Sequence, residues 1–336
     1  MASTPEGRRL TEEHRQAQQD VRDDFLTEFL ALWALLDTAR LDDTGPGWVR
    51  AVIRAVAAYR TLSAETATRY YWDFRAAEAP DSVARPRIPG GIEEVTSRPD
   101  TVPPPAGPRT GRPPRQQRRE RNRTYPRAER NRQAERELDR AIERSGIRWD
   151  FDEGSIARPS RGVTIEIPEL DWSERDRKVE ISLNITGPVG QKSRIGRGES
   201  PDRARDASFV ESSGVAGRHV LTGGRRSLLT LLQDDPQARR WIRVTDGDPC
   251  AYCAMLAGRG PVYLTKKTAS FSAHDHCACT AEPVYHLDAP WPGRAAEFRK
   301  LWDEHIKGKY SGKKARQEWQ RLYRQLQREQ RQLEVG

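Results

Sequence analysis

All four cysteines of the chain fall between residues 250 and 279, with two of its six histidines beside them. The first pair is Cys250-Ala251-Tyr252-Cys253, and the second closes the run His274-Asp275-His276-Cys277-Ala278-Cys279. A C-x2-C turn sets two sulfurs about one tetrahedral edge apart, the usual first half of a zinc site. C-x-C can also turn two sulfurs toward one ion, with tighter geometry, and His274 or His276 can replace one of them. Cys250, Cys253, His274, Cys277 and Cys279 are therefore the candidate donors. A closed structural zinc site is the expectation, because a catalytic zinc keeps one position open. The fourth ligand stays open among His274, Cys279 and His276.

Other chemistries fit the residues less well. A disulfide framework suits secreted chains, and the segment Met1 to Arg8 lacks the apolar core of a signal peptide. No stretch approaches the roughly 18 apolar residues of a membrane span, so a cytosolic origin with reduced thiols and no membrane partner is expected. Pro249-Cys250-Ala251-Tyr252-Cys253 matches half of a zinc-deaminase signature, but the upstream His219-Val220-Leu221 carries no glutamate to act as acid and base. His274-Asp275-His276 could activate water beside a metal, without further support. There is no G-x-S-x-G and no P-loop. Ser212 or Ser213 with His219 is the best protease pair on offer, and isolated Ser and His are usually structural.

Charge supplies the second chemical signal. The formal net charge is +9, which points to a polyanionic partner. The excess is clustered: Arg98 to Arg148 holds 15 Arg against 7 acids, and Trp291 to the end holds 12 Lys or Arg against 6 acids. Arg115, Arg118, Arg119, Arg121 and Arg123 form the densest run, with only Tyr125 as an aromatic neighbour. Without stacking side chains, nucleic-acid contact there is expected to be with phosphates and indifferent to sequence.

These residues need elements to position them. Hydrophobic residues are 35% of the chain and mean hydropathy is -0.86, so folded islands joined by solvated segments are expected. Residues 10–40 read as a helix capped by Thr11, with Phe25, Phe29, Leu32, Trp33 and Leu36 on one face. Gly45-Pro46-Gly47 reads as a break. A second helix follows from Trp48 to Tyr59, and a third from Ser63 carries Tyr70, Tyr71 and Phe74. Prolines from Pro80 to about residue 119 deny helix and sheet, giving a long disordered Pro/Arg-rich linker. Residues 118–144 then continue as a charged helix. Val163 to Ile167 and Val179 to Ile185 alternate like two short strands. Residues 202–240 return to helix, with Gly223-Gly224 read as a break before Leu228. After the cysteines come a short helix with Phe298, Leu301 and Trp302, and a basic amphipathic helix from about Ser311 with Trp319, Leu322, Tyr323 and Leu326.

The expected fold is mainly α with a small α+β zinc-binding module. The expected regions are 1–79 (helical), 80–148 (linker and charged helix), 149–200 (strand insert), 201–290 (helical and zinc module) and 291–336 (basic helices).

The stretch from Trp241 to Tyr263, followed by His274 to Cys279, resembles the MuF-like minor head proteins of tailed phages, in the branch found in phages and prophages of actinobacteria. The family pattern of C-x2-C, a short strand and H-x2-C-x-C falls on Cys250, Cys253, His274, Cys277 and Cys279. The resemblance runs from about Thr186 through the last helix, and more loosely over the first helices; the Pro/Arg segment and the strands before Thr186 have no clear counterpart. An Arg count of 49 against 9 Lys suits a high-GC host. The resemblance implies a head morphogenesis protein held in few copies on the portal protein inside the procapsid. It implies contact with major capsid or scaffold protein and with packaged DNA, in the host cytoplasm during assembly and in the virion afterwards. Some relatives are fused to proteases or toxins, and members of the branch are often described as capsid maturation proteases. That activity and a non-virion zinc protein binding nucleic acid are the alternative readings.

Overall fold

The computed structural model describes residues 1–80, 172–238, 240–262, 271 and 273–335. Its contacts define one unit from Met1–Ala84 with Phe151–Gly336, and a second, Arg85–Asp150, which lies outside the described residues. The expected linker, the charged helix and the Val163 to Ile167 strand lie outside them too.

The first unit is built from long helices. Helix α1 spans Pro5–Trp33, with Pro5 preset for the first turn and the Thr4 hydroxyl accepting from the Gly7 N–H at 2.9 Å. The cap is therefore Thr4 and not Thr11, which lies inside the helix with its side chain buried. Helix α2 runs without interruption over Leu41–Glu78, with Pro46 inside it. The expected break at Gly45-Pro46-Gly47 does not occur. Pro46 sits in the second turn and forfeits one backbone bond, while Trp48, Val49, Val52 and Val56 beyond it are all buried. The two helices expected after that break are one.

Helix α3 spans Ser173–Thr186 and helix α4 spans Pro188–Gly196. The Val179 to Ile185 segment is thus helical, correcting the strand reading. Its alternation also satisfies a helix, because residues two apart divide into two i, i+4 stripes. Val179 and Leu183 are fully buried, whereas Ile181 and Ile185 are 50% and 59% exposed.

Helix α5, Pro201–Asp234, is continuous through Gly223 and Gly224. These glycines allow close approach and do not end the helix. A Cβ on Gly223 would lie 2.0 Å from the Arg60 carbonyl oxygen of α2, and one on Gly224 would lie 2.8 Å from that of Ser63. The Gly224 N–H donates to Ser63 Oγ at 2.9 Å, and Gln18 of α1 donates to the Ser63 carbonyl at 2.9 Å. Three helices meet there. On one side Phe25, Phe29, Trp33, Trp48 and Phe209 pack ring against ring. On the other, Tyr70, Tyr71 and Phe74 join Leu228 to Leu232.

The chain then forms strand β1 (Arg240–Val244), helix α6 (Ala251–Ala257) and strand β2 (Thr280–Val284). The strands pair antiparallel with Ile242 opposite Glu282. Helices α7 (Ala295–His305) and α8 (Gly312–Val335) close the order. The apolar side of α8 docks on its own unit: Trp319 and Tyr323 are buried beside Phe298, and Trp319 Nε1 donates to the Ala251 carbonyl at 2.6 Å. The expected mainly helical protein with a small sheet-containing module is what the described residues form.

Candidate metal centre

The two-stranded sheet brings the cysteine pairs together. Chain leaving β1 reaches Cys250, which caps α6 by accepting from the Cys253 N–H at 3.4 Å. Cys253 follows one turn into that helix. Chain entering β2 passes through His274 to Cys279, so the second pair ends immediately before Thr280, the first residue of the strand. The Cys277 N–H donates to the His274 carbonyl, and His276 takes the left-handed conformation at φ 62°. That turn carries His274 and Cys277 to one side and His276 to the other.

His274 Nε2 lies 2.7 Å from Cys250 Sγ and 3.5 Å from Cys253 Sγ, and Cys253 Sγ lies 3.5 Å from Cys277 Sγ. A tetrahedral ion with zinc-like bond lengths would set such edges at about 3.5–3.8 Å, which the two 3.5 Å separations meet and the 2.7 Å one between Cys250 and His274 falls short of. Two overlapping groups result, Cys250 with Cys253 and His274, and Cys253 with Cys277 and Cys279; within each the donor atoms lie within 4.8 Å of one another. The Cys253 sulfur belongs to both. All four thiols are free of disulfides, and all but Cys250 are buried. The His276 ring lies against α5, where a Cβ on Gly214 would come 2.4 Å from its Nε2. It joins neither donor group.

The surroundings favour anionic sulfur at Cys250 and Cys277, while Cys253 and Cys279 are pushed up within the same cluster. His274 Nδ1 lies 2.6 Å from the Asp275 carbonyl, which can only accept, so the neutral ring keeps its lone pair on Nε2 toward the sulfurs. The Cys250 thiol is drawn down to about 5 by hydrogen bonding from Cys253, against its burial. Cys277 is also lowered, by hydrogen bonds from Cys253 and Cys279 and by Arg225 and Arg243 nearby. Arg225 donates to the Cys279 carbonyl at 3.0 Å and the Cys277 carbonyl at 2.7 Å, and approaches Cys277 Sγ at 3.6 Å. Arg243 reaches Cys253 Sγ at 3.9 Å and lies over the Phe271 ring at 3.9 Å. Two buried guanidiniums beside buried thiols offset the charge that thiolate ligands carry. The donor set, the histidine tautomer and the local charge fit a bound metal ion.

Sequence patterns missed Arg225, Arg243 and Phe271. The available signal was an arginine inside an apolar helix stripe and another inside a buried strand. The imagined protease pair is not assembled: Ser212 Oγ donates to Thr186 Oγ1 at 2.9 Å, and Ser213 Oγ to the Val210 carbonyl at 3.0 Å. The Arg115, Arg118, Arg119, Arg121 and Arg123 run lies outside the described residues. Among the described residues, no helix is long and apolar enough to cross a membrane.

A helical protein with a compact Cys/His centre on a two-stranded sheet is the class these features define. Residues 196–305 match a family described as VG15 protein. The chain is also 28% identical over 169 residues to the Gene 15 protein of Mycobacterium phage D29, covering 40% of this chain and 60% of that protein. The chain thus spans less than two thirds of the curated relative it matches. No solved structure matches. These likenesses support a phage protein family, and the matched span 196–305 contains every candidate metal donor.

Proposed function

We propose that this chain is a structural and head morphogenesis component of a tailed phage or prophage, MuF-like in kind, in which a zinc ion staples the module around β1, α6 and β2. The observation that carries this reading is the coincidence of the phage-family match with the whole Cys/His centre. Zinc suits the mixed thiolate and imidazole donors better than hard cations do. Five donors serve four positions, so one is spare.

In this reading the protein sits near the portal inside the procapsid, beside major capsid or scaffold protein. The Arg115 to Arg123 run meets packaged DNA through phosphates alone. Particles purified after infection or prophage induction test the proposal by quantitative mass spectrometry. The protein should co-purify with heads at a constant ratio to portal protein. Its absence from heads and procapsids would leave the non-virion nucleic-acid binder standing. The protease alternative is disfavoured by the hydrogen bonds that engage Ser212 and Ser213 away from His219.

A further inference from the structure

Helix α8 turns only one side to its own unit. Ala315, Trp319 and Tyr323 are buried, packed with Ala254 of α6 and Phe298 of α7. That contact fixes which side faces outward. Lys313, Gln317, Gln320, Arg324, Arg328 and Arg331 recur at intervals of three and four. They form one stripe on the outward side, about 27 Å long at the helical rise per residue. All of them are exposed. The stripe holds no aspartate, no glutamate and no apolar residue. A groove along it is lined by α8 alone, through four arginines and three glutamines.

Arginines elsewhere on the surface are matched on their own helix: Arg9 by Glu6 and Glu13, Arg294 by Glu297, Arg299 by Asp303. On α8 the matched ones lie at the margins of the stripe, Arg331 with Asp248 at 3.3 Å and Arg321 with Glu318 at 2.9 Å. Among the described residues, Arg324 and Arg328 have no carboxylate within ion-pair distance, and Arg328 Nε donates to the Arg324 carbonyl at 3.2 Å. Two like charges four residues apart repel on a helix, so an anionic partner would relieve the pair.

We infer that the outward face of α8 is a binding surface for the backbone phosphates of duplex DNA, indifferent to base sequence. Arginine bonds phosphate through a planar fork, and glutamine amides are common partners at the same backbone. A protein partner would call for apolar or aromatic anchors at the centre of the face, and the stripe has none. Without an aromatic ring it cannot stack bases, which favours a duplex over a single strand. The surface is separate from the Arg115 to Arg123 run. It does not rest on the virion reading, since a non-virion binder would use it equally.

Titration of a fluorescent DNA duplex with the full chain, at several salt concentrations, tests the assignment. Arg324→Gln with Arg328→Gln removes two phosphate contacts at exposed sites and keeps a good helix former at each. Affinity should fall about 10-fold or more at roughly 0.1 M salt, and the slope of log K against log salt should become shallower by about 2. Two duplexes of unrelated sequence should respond alike. Arg299→Gln with Lys300→Gln takes the same charge from α7 and should leave both quantities nearly unchanged. Equal losses in the two double variants would overturn the assignment, because general charge and not this face would then drive binding. So would an unchanged affinity for DNA in the α8 variant, or a loss confined to binding of polyglutamate, which would make the face a dock for acidic protein. If the α8 variant does not fold, the parent chain decides by acetylation: duplex DNA should shield Lys313 and leave Lys300 reactive, and equal reactivity would overturn the inference.

Discussion

Asp235 gathers four donors just past the end of α5. Its Oδ2 accepts from Tyr71 Oη at 2.7 Å, Tyr285 Oη at 2.9 Å and Arg75 Nε at 2.9 Å, and its Oδ1 from the Gln237 N–H at 2.9 Å. Burial works against the charge, but these bonds hold the carboxyl below its ordinary value of 3.8. A depressed acid contributes stability that is complete above the unfolded-state value and is lost as pH falls through the lower folded value. Asp235→Ala should therefore cost about 3 kcal/mol at pH 7. In urea unfolding, the gap between wild type and Asp235→Asn should narrow as pH is taken below 3.8. The metal donors give a second prediction at this scale. Cys253→Ser removes the sulfur common to both donor groups and should abolish stoichiometric metal in elemental analysis. Of His274→Ala and Cys279→Ser, one should retain it. The donors were legible because cysteine and histidine spacing is itself chemical. Arg225 and Arg243 were not, since nothing in a sequence says which arginine is buried against a thiol.

Apolar faces were legible where the stripe was wide, as in α1, α7 and α8, although α1 runs Pro5–Trp33 and not 10–40. Helix positions were misread where glycine or proline was taken as punctuation. Gly223-Gly224 marks a tight crossing with α2, information that resides in the partner helix and not in the local sequence. Gly223→Ala should lower stability by about 2 kcal/mol or more through overpacking. Gly196→Ala, at the end of α4 with nothing within 4 Å of the added Cβ, should be neutral or gain up to about 1 kcal/mol. Thermal melts of the two variants provide the comparison; equal effects would mean that α2 and α5 do not approach as closely as described. The α3 error has another origin. A period of two and a doubled i, i+4 stripe look alike over seven residues, and only packing of Val179 and Leu183 separates them.

Across the whole molecule, the long helices α1, α2 and α5 share a large ring-rich core with buried polar side chains interleaved through it, whereas the β1–α6–β2 module gathers its donors in a small separate cluster. Chelation at neutral pH should release the ion and loosen that module, including the α8 dock at Ala251, while the long helices persist. Circular dichroism should then show partial loss of helix, with Trp319 fluorescence shifting toward that of solvent-exposed indole. A full cooperative collapse would instead mean that the module and the helices unfold together.

One contact bears on how the chain is made. Glu282 of β2 accepts from the Ala2 N–H at 2.9 Å and from Thr11 Oγ1 at 2.8 Å, across sequence separations of 280 and 271 residues. A ribosome adding roughly 5–20 residues per second delivers α1 tens of seconds before the strand that engages its buried polar side. During that interval the nascent helix pair must keep Thr11, His14 and the Phe25 face without their final neighbours. Synthesis thus leaves the earliest segment waiting on one of the latest, and a chain truncated before β2 should be recovered mainly as a chaperone client or in inclusion bodies.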